Sequence, residues 1–260
     1  MLNKNFISRT ISAVFILLFM LALVFINDYF LLVGTLFLSS LAIFELDKAL
    51  SRIDYKLILI PAYIFNAAFI CLNYFFPRYF ILPLLSIYLL VLLIIMIFSD
   101  NIDINNVLGN TFIAVYITLS YSYFVVIRQS NWLLYMLGVA SITDTFAYLV
   151  GVAIGKNKLY EKLSPKKTIE GSIGGIVGAI IFALVFNHFV KPNISIALLL
   201  AMTLILSIIS QLGDLIASYI KRKAGIKDYG YIFKGHGGVM DRFDSVLLIA
   251  PIIALIMPFV

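Results

Sequence analysis

The chain has 260 residues, 63% of them hydrophobic and only 12% charged, with a formal net charge of +6. A soluble domain carries about 25% charged residues, and an apolar excess of this size cannot be hidden in one aqueous core, so hydrocarbon is the simpler solvent. The positive charge lies in short loops between apolar runs, without basic stretches interleaved with aromatics, which argues against nucleic acid and for anionic lipid.

Apolar runs of near-spanning length occur at about 11–27, 29–45, 57–76, 79–98, 108–127, 132–154, 172–190, 194–217 and 245–260. Backbone groups in lipid must be satisfied within the segment, so these runs predict helices. The expected fold is an all-α integral membrane protein, a polytopic bundle of about nine transmembrane helices. The first run follows Lys4 and Arg9 and lacks a small-x-small cleavage site, so it is expected to be a retained helix and not a signal peptide. With the N-terminus placed in the cytoplasm, sixteen of the nineteen Lys and Arg residues fall on the cytoplasmic side, leaving Arg78, Arg128 and Lys191 outside. The loop Asp100–Asn106 has no basic residue and is the weak point of that topology. Cys71, the single cysteine, sits in an apolar run and excludes an intrachain disulfide or a cysteine-based zinc site.

Charges are sparse before Gly138 and concentrated after it. Residues 1–137 are therefore expected to be scaffold, and 138–260 the catalytic region, with cytoplasmic loops 155–171 and 218–244. Asp144 lies mid-run with Ser141 and Tyr148 on its face, and must meet a polar cavity or a cation. The loop Gly155–Gly175 carries a Ser164-Pro165 turn, Lys166, Lys167 and Thr168 before a glycine-rich helix start. That pattern suits a lipid-headgroup patch and a triphosphate cradle equally. On a helix, Gln211, Asp214, Ser218 and Lys221/Arg222 share one face, opposite Leu212, Leu215, Ile216 and Ile220. Asp241, Asp244 and Ser245 share another face at a helix N-terminus, where the dipole favours anions. Gly235, Gly237 and Gly238 permit close backbone approach to a ligand. Carboxylates among so many cations suit a hard divalent metal with phosphates. Glu45 and His188 are read as interfacial, and His236 as a phosphate-contact or positioning residue.

The segment Ser218-x-Ile220-Lys221-Arg222-x4-Lys227-Asp228-x-Gly230-x2-Phe233-x2-His236-Gly237-Gly238-Val239-x-Asp241-Arg242-Phe243-Asp244 resembles the signature of the phosphatidate cytidylyltransferase (CDP-diacylglycerol synthase) family. Gln211-Leu-Gly-Asp214-Leu, Asp144-x3-Tyr148 and Ser164-Pro165-Lys166-Lys167-Thr168-x-Glu170-Gly171 are similar to it as well. Two positions depart from the family pattern: Lys234 stands where proline is usual and Ile169 where tryptophan is usual. The resemblance implies transfer of CMP from CTP to phosphatidate, giving CDP-diacylglycerol and pyrophosphate in phospholipid biosynthesis. It also implies Mg2+ (a second, monovalent or divalent, cation is left open), a homodimer, and a multi-pass protein of the bacterial inner, cytoplasmic membrane with its site facing the cytoplasm.

In that chemistry Asp214 and Asp241 are the expected metal ligands, while Asp144, Asp228 and Asp244 hold metal-bound water or orient lysines. Lys166, Lys167, Lys221, Arg222 and Lys227 would bind phosphates. Ser164, Ser218 and His236 would supply hydrogen bonds, and Gly237, Gly238 and Arg242 would meet substrate. Alternatives are a CTP-dependent polyprenol or isoprenoid-alcohol kinase, a cytidylyltransferase for an ether-lipid phosphate, and a transporter lined by Asp144 and Asp214. Clustering of the charges toward one face argues against the transporter.

Overall fold

The computed structural model describes residues 4–76, 81–128, 131–232 and 237–257, with side chains from Val14 onward. The helices follow the apolar runs: α1 (Lys4–Phe25), α2 (Asp28–Leu50), α3 (Leu59–Phe75), α4 (Ile81–Ile97), α5 (Ile104–Ile113), a π-helical stretch (Ala114–Leu119) continuing into α6 (Ser120–Val126), α7 (Trp132–Ile154), α8 (Ile169–Val190) and α9 (Ile196–Lys223). The last apolar run is broken at Leu248 into α10 (Met240–Leu247) and α11 (Ile249–Ile256). Asp28–Ile53, Ile104–Val126, Trp132–Ile154, Ile169–Val190 and Ile196–Lys223 are long and apolar enough to cross a membrane, and Val14–Phe25, Leu59–Phe75 and Ile81–Ile97 are shorter apolar helices. The protein is thus a helical, multi-pass membrane protein. One element departs from the all-helical expectation: β1 (Lys158–Tyr160) and β2 (Ser164–Thr168) form an antiparallel hairpin between α7 and α8.

The chain divides into two compact units, Met1–Gln129 with Ile220–Phe243, and Ser130–Tyr219 with Asp244–Val260. In the first, α2 is the central helix, burying Leu31, Leu38, Ala42, Ile43 and Leu46. Beside it Phe65, Phe69, Tyr88, Leu92, Val107 and Ala114 form an apolar cluster, with the Phe65 and Tyr88 rings stacked at 4.0 Å. Several polar side chains inside are paired with one another, which lowers their cost in an apolar surrounding. The Asn66 amide donates to Ser39 Oγ (2.8 Å) and accepts from Thr118 (3.1 Å), and the Tyr88 hydroxyl donates to Asn110 (3.0 Å). At one end of this unit Arg128 pairs with Asp28 (3.2 Å) and donates to the Tyr74 and Val125 carbonyls. At the start of α5, Asp103 and Asn106 cap each other reciprocally, and the Asn106 amide ties the preceding loop to the Lys56 carbonyl (2.7 Å). The loop without basic residues therefore has polar work of its own, closing the helix start.

In the second unit α7 and α8 pack through small residues. A side chain on Gly171 or Gly175 would run into the Ala147 or Thr143 carbonyl, and one on Gly174 or Gly178 into Val150 or Phe146. Small residues one turn apart are how membrane helices bring their backbones together, because apolar burial gives no net drive in lipid. The α9 helix buries polar residues among apolar ones such as Leu199, Met202 and Leu206. Its buried face carries Thr203, Ser207, Ser210 and Gln211, while Leu204, Ile205, Ile208, Leu212 and Ile216 are exposed. Hydrogen bonds attach this face, among them Thr203 to Tyr135 (2.5 Å), Thr143 to Ser207 (3.0 Å), and the Gln211 amide to the Ser172 carbonyl (3.2 Å).

Candidate active site

Each unit holds a lysine–aspartate pair flanked by polar groups. In the first unit the centre is Asp241, in the first turn of α10, whose side chain is 5% exposed. Its Oδ1 accepts from Lys221 Nζ at 2.8 Å, and its Oδ2 accepts the Tyr229 and Gly238 backbone N–H groups at 2.8 and 2.9 Å. Lys221 also lies 5.3 Å over the Tyr229 ring. Gly237 has φ +81°, a left-handed conformation that other residues adopt only with strain, and a side chain there would collide with the Asp241 carboxylate. The close approach these glycines make in the structure is therefore to a carboxylate of the protein itself.

A second carboxylate lies behind this loop. Glu45, on α2, is 2% exposed, so it is buried within the protein. Its Oε1 accepts the Val239 N–H (3.0 Å) and its Oε2 the Met240 N–H (2.9 Å). Side chains on Gly230 or Gly238 would overlap it. A cavity of about 290 Å³ adjoins, lined by Glu45, Lys48, Arg52, Asp228, Tyr229 and Tyr231 among others. Lys227, Arg222 and Arg242 are exposed around this cluster. His236 lies outside the described residues, as do Phe233, Lys234 and Gly235.

In the second unit Asp214 forms an ion pair with Lys167 through Oδ2, and its Oδ1 faces the Ser218 hydroxyl at 3.4 Å. The i to i+4 spacing on α9 brings Asp214 and Ser218 together, as the sequence predicts. The hairpin supplies the lysine. Strand side chains alternate faces, so Lys167 is half-buried against Asp214 while Lys166 is exposed. Ser164 pairs across the hairpin with Tyr160. The Thr168 hydroxyl caps α8 by accepting the Gly171 N–H (3.1 Å), and Glu170 accepts the Lys156 and Asn157 N–H groups, holding the hairpin base. Asp144 is exposed within its unit and accepts the Ser245 hydroxyl at 2.6 Å. Asp244 is 6% exposed and accepts the Ser245 N–H at 2.9 Å. Gly213 lies against the Asp244 carbonyl, where a side chain would overlap it. A mostly apolar cavity of about 250 Å³ adjoins the hairpin between Tyr160, Ser172, Gln211 and Leu212.

Among the described residues no three His, Cys, Asp or Glu side chains converge as a protein-only metal site. The donor chemistry nevertheless fits a hard cation. Mg2+ is commonly held by one or two carboxylates with waters and substrate phosphates, and a carboxylate offers about four lone-pair positions. Lys221, Tyr229 and Gly238 use three of those on Asp241, and Lys167 and Ser218 two on Asp214.

Glu45 and Tyr229 are the residues that motif spacing missed. A carboxylate inside an apolar run is by default a functional candidate, but Lys48, three residues on, gives Glu45 the look of a solvated pair at the membrane border.

The sequence profile described as the cytidylyltransferase family matches residues 7–260. Relatives named phosphatidate cytidylyltransferase occur in Staphylococcus haemolyticus (41% identical over 144 residues), Staphylococcus aureus (39%) and Staphylococcus epidermidis (38%). Each alignment covers 55% of this chain and 55% of the relative, so the chain spans about half the length of the curated relatives it matches. With a family profile extending over nearly the whole chain, the protein belongs to the cytidylyltransferase family.

Proposed function

We propose that the protein is a CTP:phosphatidate cytidylyltransferase, a nucleotidyltransferase that makes CDP-diacylglycerol and pyrophosphate. The observation that carries this reading is the presence of two lysine–aspartate pairs, Lys221–Asp241 and Lys167–Asp214, one in each unit of a membrane protein of this family. The names of the staphylococcal relatives support the choice of lipid phosphate and nucleotide.

The reaction needs charge control more than proton transfer. A phosphatidate phosphate oxygen, already anionic, attacks the α-phosphorus of CTP. One P–O bond forms, the bond between the α-phosphorus and its bridging oxygen to the β-phosphorus breaks, and pyrophosphate leaves with that electron pair. No proton has to move, so the work is positioning and cationic stabilisation of crowded phosphate oxygens. Lys221 and Lys167 would do that work, each held by a carboxylate until a phosphate competes for it. Asp241 in the first unit and Asp214 in the second are each a candidate carboxylate ligand for Mg2+, which supplies Lewis-acid neutralisation of phosphate charge when bound. Tyr229 and Gly238, through their N–H groups, fix the Asp241 carboxylate. The apolar cavity beside the hairpin suits the acyl-bearing part of a lipid, with Gln211 and Ser172 at its polar rim.

The lysine-rich loops, and so the site, would face the cytoplasm, with the protein in the cytoplasmic membrane as a homodimer. The deciding assay uses detergent-extracted protein, phosphatidate or a polyprenol, and CTP labelled at either the α- or the γ-phosphate, with and without Mg2+. The α-label should enter the lipid with equimolar pyrophosphate, and only with Mg2+. Transfer of the γ-label to a lipid alcohol, with CDP released, would replace this reading by the polyprenol kinase.

A further inference from the structure

We propose that Glu45 is the positioning residue of the site around Asp241, a residue that fixes the catalytic loop from a helix nearly two hundred residues away in sequence. The inference rests on the reading of Asp241 as a phosphate- and metal-handling group.

A carboxylate buried in a membrane helix is costly unless its lone pairs are used. Glu45 uses them on two consecutive backbone N–H groups, one on each oxygen, Val239 at 3.0 Å and Met240 at 2.9 Å. Two successive N–H groups held in one fork fix the direction of the chain at that point, and the next residue is Asp241. Gly230 and Gly238, on either arm of the loop, lie against the same carboxylate with no room for a Cβ. Asp241 then gathers Gly238, Tyr229 and Lys221. The order of support is Glu45 to the backbone of 239–240, from there to Asp241, and from Asp241 to Lys221. Glu45 touches neither reacting group itself, so its effect must be transmitted through loop geometry.

Glu45→Gln isolates this. Glutamine has the same shape but only one acceptor oxygen, and its NH2 group would face one of the two N–H donors. In the purified full-length variant in detergent, hydrogen–deuterium exchange of peptides within 226–243 should accelerate about tenfold or more, while peptides of α7 and α8 keep wild-type rates. The Mg2+ concentration for half-maximal activity should rise about 10- to 100-fold, as for other residues that hold a metal ligand from behind. Gly230→Ala, which crowds the carboxylate from the other side, should give the same local signature. Leu46→Ala, which removes buried volume from the same helix, should lower thermal stability without it.

Acceleration spread over the whole protein in Glu45→Gln and Gly230→Ala, or no acceleration, would overturn the proposal. Local acceleration with unchanged Mg2+ dependence would also overturn it, by reducing Glu45 to a structural cap. If wild-type protein makes no CDP-lipid at all, the functional reading fails instead, while the exchange data still report whether Glu45 holds the loop.

Discussion

Replacing Asp241 by asparagine removes one negative charge and almost no volume, so its consequences can be worked from the bonds the carboxylate makes. Oδ2 takes two backbone N–H groups and Oδ1 takes the Lys221 ammonium. The asparagine oxygen can serve only one of these sides. Left with the backbone pair, it turns its NH2 toward Lys221 Nζ, where two donors now meet at 2.8 Å. A hydrogen bond to a charged group contributes about 1.5–3 kcal/mol, and stranding one member of a buried pair costs about 3–5 kcal/mol. The Lys221 side chain is 14% exposed and can swing toward water. The lower figure, about 2 kcal/mol, is therefore expected. Against a typical reserve of about 5–15 kcal/mol the variant should fold, with the melting temperature down by about 4–8 °C.

Under the proposed function catalysis should suffer far more, because the same substitution would remove the proposed metal ligand and misplace the lysine proposed to bind phosphate. A loss of about 10²–10³ in turnover is expected. The assay is CDP-lipid formation from labelled CTP at equal concentrations of folded protein, judged by gel filtration and thermal melting in detergent. Turnover within about threefold of wild type would refute the role given to Asp241. An unchanged melting temperature would refute the bonding geometry.

The two adjacent lysines of the hairpin should separate cleanly: Lys167→Ala should lower turnover at least about tenfold, and Lys166→Ala should leave it within about twofold, in the same CDP-lipid assay. Gly175→Val places a branched side chain where even a Cβ would sit 2.8 Å from the Thr143 carbonyl, so overpacking of about 1–3 kcal/mol should appear as a lower melting temperature. Glu170→Ala releases the Lys156 and Asn157 N–H groups, and limited proteolysis should cut within 158–168 faster than in wild type while the helices stay protected.

The helices are legible in the sequence because lipid leaves the chain no alternative: an apolar stretch of spanning length has to satisfy its own backbone. The Asp214–Ser218 contact is legible for a similar reason, since helix periodicity alone joins residues four apart. The break at Leu248 is legible too, because Pro251 in the first turn of α11 has no N–H to donate to the preceding turn and interrupts the helix just before it. The hairpin escapes notice because its strands are three and five residues long, mostly polar, and contain Pro165. Glu45 escapes because nothing local distinguishes a carboxylate that meets water from one that meets two N–H groups from residues 239 and 240. Its role exists only in the folded chain.

The hairpin also makes the choice between two neighbouring lysines a question of parity. Lys167 faces Asp214 because it is an odd number of strand positions from Lys166 and directly precedes the Thr168 cap that anchors α8. Inserting a single residue between Lys167 and Thr168 would bring a different side chain beside Asp214. A two-residue change would restore the facing but draw the turn away from Tyr160. Length in this short segment is therefore constrained as tightly as residue identity, and a chain with the same Lys-Lys pair one position out of step would present a different ammonium group to Asp214.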